Sequence, residues 1–117
     1  MSSLRIKRVY ERPSSDDGVR ILVDRLWPRG LRKNSAALDH WCKDIAPSTE
    51  LRTWYGHRPE RFAEFSQRYQ QELADADHAG ALEHLRTLAK THRPLTLLTA
   101  SKDLDLSHAT VLAAAIS

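Results

Sequence analysis

Leu95-Thr-Leu-Leu-Thr-Ala-Ser-Lys-Asp-Leu-Asp-Leu-Ser-His108 reads as three pieces in fixed order: an apolar run, a polar loop and the opening of a helix. Leu95, Leu97 and Leu98, interleaved with β-favouring Thr96 and Thr99, make residues 95–100 a buried strand. Asp105 or Ser107 then opens a helix that carries Val111, Leu112, Ala115 and Ile116 inward. A buried strand delivering its chain through a polar loop into a helix is the unit of an α/β layer fold.

Working outward, the same grammar recurs. Arg5-Ile-Lys-Arg-Val-Tyr10 reads as a first strand and Pro13-Ser-Ser-Asp-Asp-Gly18 as a turn. Val19-Arg-Ile-Leu-Val-Asp24 is a second strand, whose continuous Ile21-Leu22-Val23 predicts cover on both faces, as in a parallel sheet. Residues 36–45 fit two periods: Leu38, Trp41 and Ile45 suit a helix face, while Trp41, Lys43 and Ile45 suit a strand, which the helix start at Ala46-Pro47-Ser48 favours. Ser48 or Thr49 caps a helix with Leu51, Trp54 and Tyr55 inward, ended by Gly56. A second helix starts at Pro59 and buries Phe62, Phe65, Tyr69 and Leu73; a third runs from about Ala79 to Lys90 with Leu82, Leu85 and Leu88 inward. The fold class expected is α/β: a small, mostly parallel sheet of three or four strands flanked by about four helices. The alternative is an α+β arrangement with the first two strands as a hairpin.

At 117 residues, the chain is expected to form one domain over 1–117, large enough to bury a core without disulfide or metal. Cys42 is the single cysteine, which excludes an internal disulfide and a cysteine-based zinc site. No apolar run approaches a membrane span, and the start has no signal-peptide stretch, so a cytoplasmic protein is expected. Net charge is +3, but residues 1–33 hold nine Arg and Lys against four acids. A basic end of this kind attracts nucleic acid or acidic metabolites, or is simply solvated.

Two segments carry the chemistry. In open α/β sheets ligands collect beyond the carboxyl ends of the strands, where a following helix offers free N–H groups and a positive dipole. Ser101, Lys102, Ser107 and His108 sit in that position after residues 95–100. Asp24-Arg-Leu-Trp-Pro-Arg-Gly30 leaves the second strand in the same way, and Arg25 and Arg29 can grip a carboxylate or phosphate with two parallel hydrogen bonds. Trp27 is expected to pack. Lys43 and Asp44, beside a helix start, form a candidate acid/base pair, and His57 follows a helix end. No Walker, GxGxxG, GxSxG, HExxH or EF-hand pattern occurs, and no two histidines stand four apart, so no metal site is expected. Cys42, beside Trp41, reads as a buried structural thiol.

Asp16-Asp-Gly18, Val23-Asp-Arg-Leu-Trp-Pro-Arg-Gly30, Trp41-Cys-Lys-Asp-Ile-Ala-Pro-Ser48, Leu51-Arg-Thr-Trp54, His57 with Pro59, and Thr96-Leu-Leu-Thr-Ala-Ser-Lys-Asp103 with His108-Ala109 together span nearly the whole chain. This set resembles the domain-of-unknown-function 488 family in its short YeaO-like branch. The resemblance implies a compact cytosolic bacterial α/β protein with no established reaction, and it supplies no catalytic assignment. Longer relatives place a Cys-His-Arg run near the last helix start; Ser107-His108-Ala109 stands here, so thiol chemistry at that point is closed to this chain.

The leading expectation is therefore a protein, with enzyme status open, that binds a small anionic ligand at the strand carboxyl ends. Arg25, Arg29, Lys43, Ser101 and Lys102 would bind it, with His108 and Asp44 as proton-transfer groups. The alternative is a nucleic-acid-binding module using the basic N-terminal third. The residues name no cofactor, reaction or oligomeric state, and no membrane partner is expected.

Overall fold

In a computed structural model describing residues 4–33 and 37–117, four strands form one sheet: β1 (Leu4–Arg8), β2 (Val19–Leu22), β3 (His40–Trp41) and β4 (Leu95–Thr99). Their spatial order is β1-β4-β2-β3, and every neighbouring pair is parallel. β4 takes the centre, with Ile6 and Ile21 both in register with Leu97. The hairpin alternative is excluded, because β1 and β2 do not pair with each other but flank β4 on opposite sides.

The apolar runs are buried as a parallel sheet requires. Ile21, Leu22 and Val23 are each fully shielded, as are Leu97 and Leu98. The period of two then divides them between faces. Ile21, Leu95 and Leu97 join one core cluster with residues of all four helices: α1 (Thr49–Tyr55), α2 (Phe62–Leu73), α3 (Ala76–Thr91) and α4 (His108–Ile116). Leu22, Leu98 and Val9 point the other way, where Trp27, Leu31 and Leu38 pack on them. One face is thus covered by helices and the other by the segment that follows β2.

Several boundaries move. β1 ends at Arg8 rather than at residue 10, and β2 stops at Leu22 rather than at residue 24. Of residues 36–45, residue 36 lies outside the described residues; only His40–Trp41 are strand, and Lys43–Ile45 form a 3-10 turn. Ser48 caps α1, its hydroxyl accepting from Leu51 N–H at 3.1 Å, and Gly56 closes it in the left-handed region. Pro59–Arg61 is a separate 3-10 turn leading into α2. α3 begins at Ala76, three residues early, because the Asp75 carboxylate caps it through His78 N–H. Leu104–Leu106 is a 3-10 turn, so Ser107 rather than Asp105 precedes α4. Among the described residues no helix is long and apolar enough to cross a membrane.

Candidate functional site

Beyond the carboxyl ends of β2 and β4 lies a cavity of about 630 Å³. Its floor is set by Asp24, the second residue after β2. The Asp24 carboxylate accepts from Thr99 Oγ1 at 2.7 Å and from the Ala100 N–H at 2.8 Å, which ties the exits of the two strands together. Residues 24–29 and residues 101–103 and 106–108 thereby line the same cavity. Apolar lining comes from Pro47, Tyr55 of α1 and Phe65 of α2, with Tyr55 and Phe65 stacked at 4.2 Å between ring centroids.

Arg25, Arg29, Ser101, Lys102 and His108 all line this cavity. Arg25 Nη2 donates to the carbonyls of Ala46 and Pro47 at 3.3 and 3.5 Å, while its Nε is buried without a partner among the described residues. Arg29 and Lys102 are exposed, and neither side chain has an ion pair or hydrogen bond within the described residues. Arg29 is instead held by its backbone, whose carbonyl accepts from Tyr10 Oη at 2.8 Å. The Ser101 carbonyl accepts from Arg8 Nε at 3.0 Å. Trp27 packs as expected: its Nε1 donates to the Leu31 carbonyl at 2.7 Å and its ring meets Trp41 edge-on.

Lys43 and Asp44 are not brought to this cavity. They line a separate one of about 370 Å³ with His40, Cys42, Asp77 and His84. The reason is the 3-10 turn: Ile45 is fully buried, so Lys43 and Asp44 before it turn outward. Lys43 Nζ lies 5.5 Å from the centre of the Trp41 ring. Burial first, and then the Asp44 charge, push the Cys42 thiol above its ordinary value, as suits a structural rather than a reactive cysteine.

In place of Lys43 and Asp44, the fold supplies Arg52 and His57, from α1 and the turn after it. Arg52 is exposed, with no side-chain partner among the described residues. A signal did exist: Arg52 stands one helical turn after the Ser48 cap and one residue from inward-facing Leu51.

His108 is the first residue of α4, with its side chain 13% exposed. Its Nε2 lies 3.0 Å from the Val23 carbonyl and 3.4 Å from Asp24 Oδ1. A carbonyl can only accept, so Nε2 carries the hydrogen. Burial holds the imidazole below its ordinary pKa; the Asp24 charge and the Val23 carbonyl oppose this, and His57 and Arg52 reinforce it. Ser107 is buried and its hydroxyl donates to the Leu104 carbonyl at 2.7 Å, so it does not face a ligand as an open donor. Among the described residues no group of three or more His, Cys, Asp or Glu side chains could hold a metal ion.

Four of the nine basic residues of the N-terminal third are engaged within the fold. Lys7 and Arg20 both pair with the buried Asp17 carboxylate, and Arg8 and Arg25 donate to backbone carbonyls.

The DUF488-N3i family, described as the inactive DUF488-N3 subclade, matches residues 3–117. The chain belongs to the DUF488 family. Within it, the chain is 52% identical over 110 residues to the uncharacterized protein Rv3073c of Mycobacterium tuberculosis, covering 94% of this chain and 90% of that one. It is 46% identical over 111 residues to the uncharacterized protein YeaO of Escherichia coli, covering 95% and 94%. No solved structure matches the chain.

Proposed function

We propose that this DUF488 protein binds a small organic anion in the cavity at the carboxyl ends of β2 and β4. The observation that carries the reading is the set of cationic side chains on that cavity, Arg29, Arg52 and Lys102, which have no carboxylate partner among the described residues. The orphaned Nε of Arg25 adds an unmet donor beside them. Two acids also line the cavity, but Asp24 is committed to Thr99 and Ala100, and Asp103 accepts from the Asp105 N–H. The apolar lining suits a ligand with a hydrocarbon or aromatic body. Binding without turnover agrees with the description of the subclade as inactive.

A thermal-shift series with phosphate, sulfate and small carboxylates, followed by titration, tests this. Arg52→Ala and Lys102→Ala each weaken binding about tenfold or more, the worth of one charge-assisted hydrogen bond. Arg29→Lys keeps the charge but recovers only part of what Arg29→Ala loses, because a point charge does not reproduce the planar fork. Arg68→Ala, on the exposed face of α2 where Arg68 pairs with Glu64, leaves affinity unchanged. If no anion binds, or the three cavity variants bind as the wild type does, the reading is wrong. Tight binding of RNA or DNA that weakens steeply with salt would replace it with the nucleic-acid alternative.

A further inference from the structure

We infer that His108 presents Nδ1 to the cavity as a hydrogen-bond acceptor, so that the molecule bound there pairs its anionic group with a hydroxyl or N–H donor. This rests on the anion reading above and narrows it to a chemical class: a carboxylic acid or phosphate ester that also carries a hydroxyl or amino group, on an apolar body.

The argument begins with the tautomer. The Val23 carbonyl sits 3.0 Å from Nε2 and accepts, so the single hydrogen of a neutral imidazole is used there. Nδ1 is then a lone pair. It makes no hydrogen bond to a described residue, and it is not among the buried atoms sealed from solvent, while the ring forms part of the cavity wall. A second proton, which would turn Nδ1 into a donor, is opposed by burial, by Arg52 and His57 nearby and by the position at the amino end of α4; only Asp24 favours it. The cations that share the lining, Arg29, Arg52 and Lys102, are donors only; of its carboxylates, Asp24 is committed to Thr99 and Ala100, and Asp103 accepts from the Asp105 N–H. His108 Nδ1 is therefore an uncharged acceptor set among the cations of the lining. An anion made only of acceptors satisfies the arginines and leaves Nδ1 unmet. A ligand that also carries a donor satisfies both.

Matched acids that differ by one hydroxyl test this: mandelate against phenylacetate, and 3-phenyllactate against 3-phenylpropionate, titrated by calorimetry alongside phosphate and sulfate. In the wild type each hydroxy acid binds about fivefold tighter than its partner, the worth of one neutral hydrogen bond. In His108→Phe the bulk of the ring is kept but the side chain carries no acceptor, so the ratio falls to about one. Independently of any variant, a two-bond ¹H–¹⁵N spectrum of the wild type at neutral pH shows His108 as the neutral Nε2–H tautomer. Equal binding of both members of each pair, a preference that survives His108→Phe, an Nδ1–H or imidazolium signature, or binding of the inorganic anions without any of the four acids overturns this inference and leaves the anion reading standing. Failure of every acid together with phosphate and sulfate removes the anion reading, and this inference with it.

Discussion

Asp17 and Asp24 stand at opposite ends of β2, two residues before it begins and two after it ends, and each is tied to a threonine of β4. At the amino end the Thr96 hydroxyl donates to the Asp17 carbonyl at 2.7 Å; at the carboxyl end the Thr99 hydroxyl donates to the Asp24 carboxylate at 2.7 Å. From there they diverge. The Asp17 carboxylate is fully buried, receives Lys7 Nζ on both oxygens at 3.0 and 3.1 Å, and also receives Arg20 Nη1 and the Ser14 N–H. Asp24 receives neutral donors at hydrogen-bonding distance, and the cations of its neighbourhood are left facing a cavity. Gly18 seals the amino end further: at φ +65° a Cβ there would stand 2.0 Å from the Pro94 carbonyl oxygen. One end of the sheet spends its charges on itself. The other keeps them open.

The strongest way to break that contrast is Asp17→Asn. It leaves Lys7 and Arg20 facing each other without a counter-charge, and the expected loss is about 3–5 kcal/mol in urea unfolding. Asp24→Asn keeps the Thr99 contact but points an amide hydrogen at the Ala100 N–H or forces the group to turn, for a smaller loss of about 1–3 kcal/mol. It also removes the negative charge that favours protonation of His108, so the imidazole becomes harder still to protonate, which an NMR titration reads directly. Equal losses from the two variants would erase the distinction between a charge-paired end and an open one.

The smallest effect is in the pH profile. Burial alone would push the Asp17 carboxyl up, but the hydrogen bonds from Lys7, Ser14 and Arg20 prevail and hold it below its ordinary value. Its contribution is therefore complete above the ordinary carboxylate range and is lost as pH falls through the depressed value. His78 has the opposite sign. Burial would lower its pKa, yet Asp75 and the Ala46 carbonyl, the latter 2.9 Å from Nε2, raise it. That contribution is complete below the ordinary imidazole value and is lost as pH rises through the raised one. Melting temperatures of wild type and His78→Ala across pH 5–9 should lie furthest apart at the acid end and converge upward. Because the Ala46 carbonyl is shared with Arg25, loosening at high pH should also weaken anion binding.

Sequence by itself determined the order and kind of the main elements. Ile21-Leu22-Val23 and Leu95–Leu98 put apolar residues on both faces, the pattern of a covered strand, and it was the pairing order that excluded the hairpin alternative. The caps Ser48 and Gly56 and the stripe Phe65, Tyr69, Leu73 are equally local, since a cap or a helical face depends on residues within a turn or two. For the same reason Arg25, Arg29, Ser101, Lys102 and His108 were legible as neighbours: each follows a strand that ends at the same edge of the sheet. Tertiary structure alone decided the rest. Lys43 and Asp44 were separated from that group by a 3-10 turn whose direction is fixed by where Ile45 finds its core, and Arg52 and His57 were delivered instead by the packing of α1 against α2. The fates of the two aspartates were likewise invisible along the chain, because whether a carboxylate is neutralised depends on which cations are within about 4 Å in a medium of low dielectric. Lys7 and Asp17 are ten residues apart, and Asp24 and Thr99 are 75 apart; only the folded sheet brings either pair into contact.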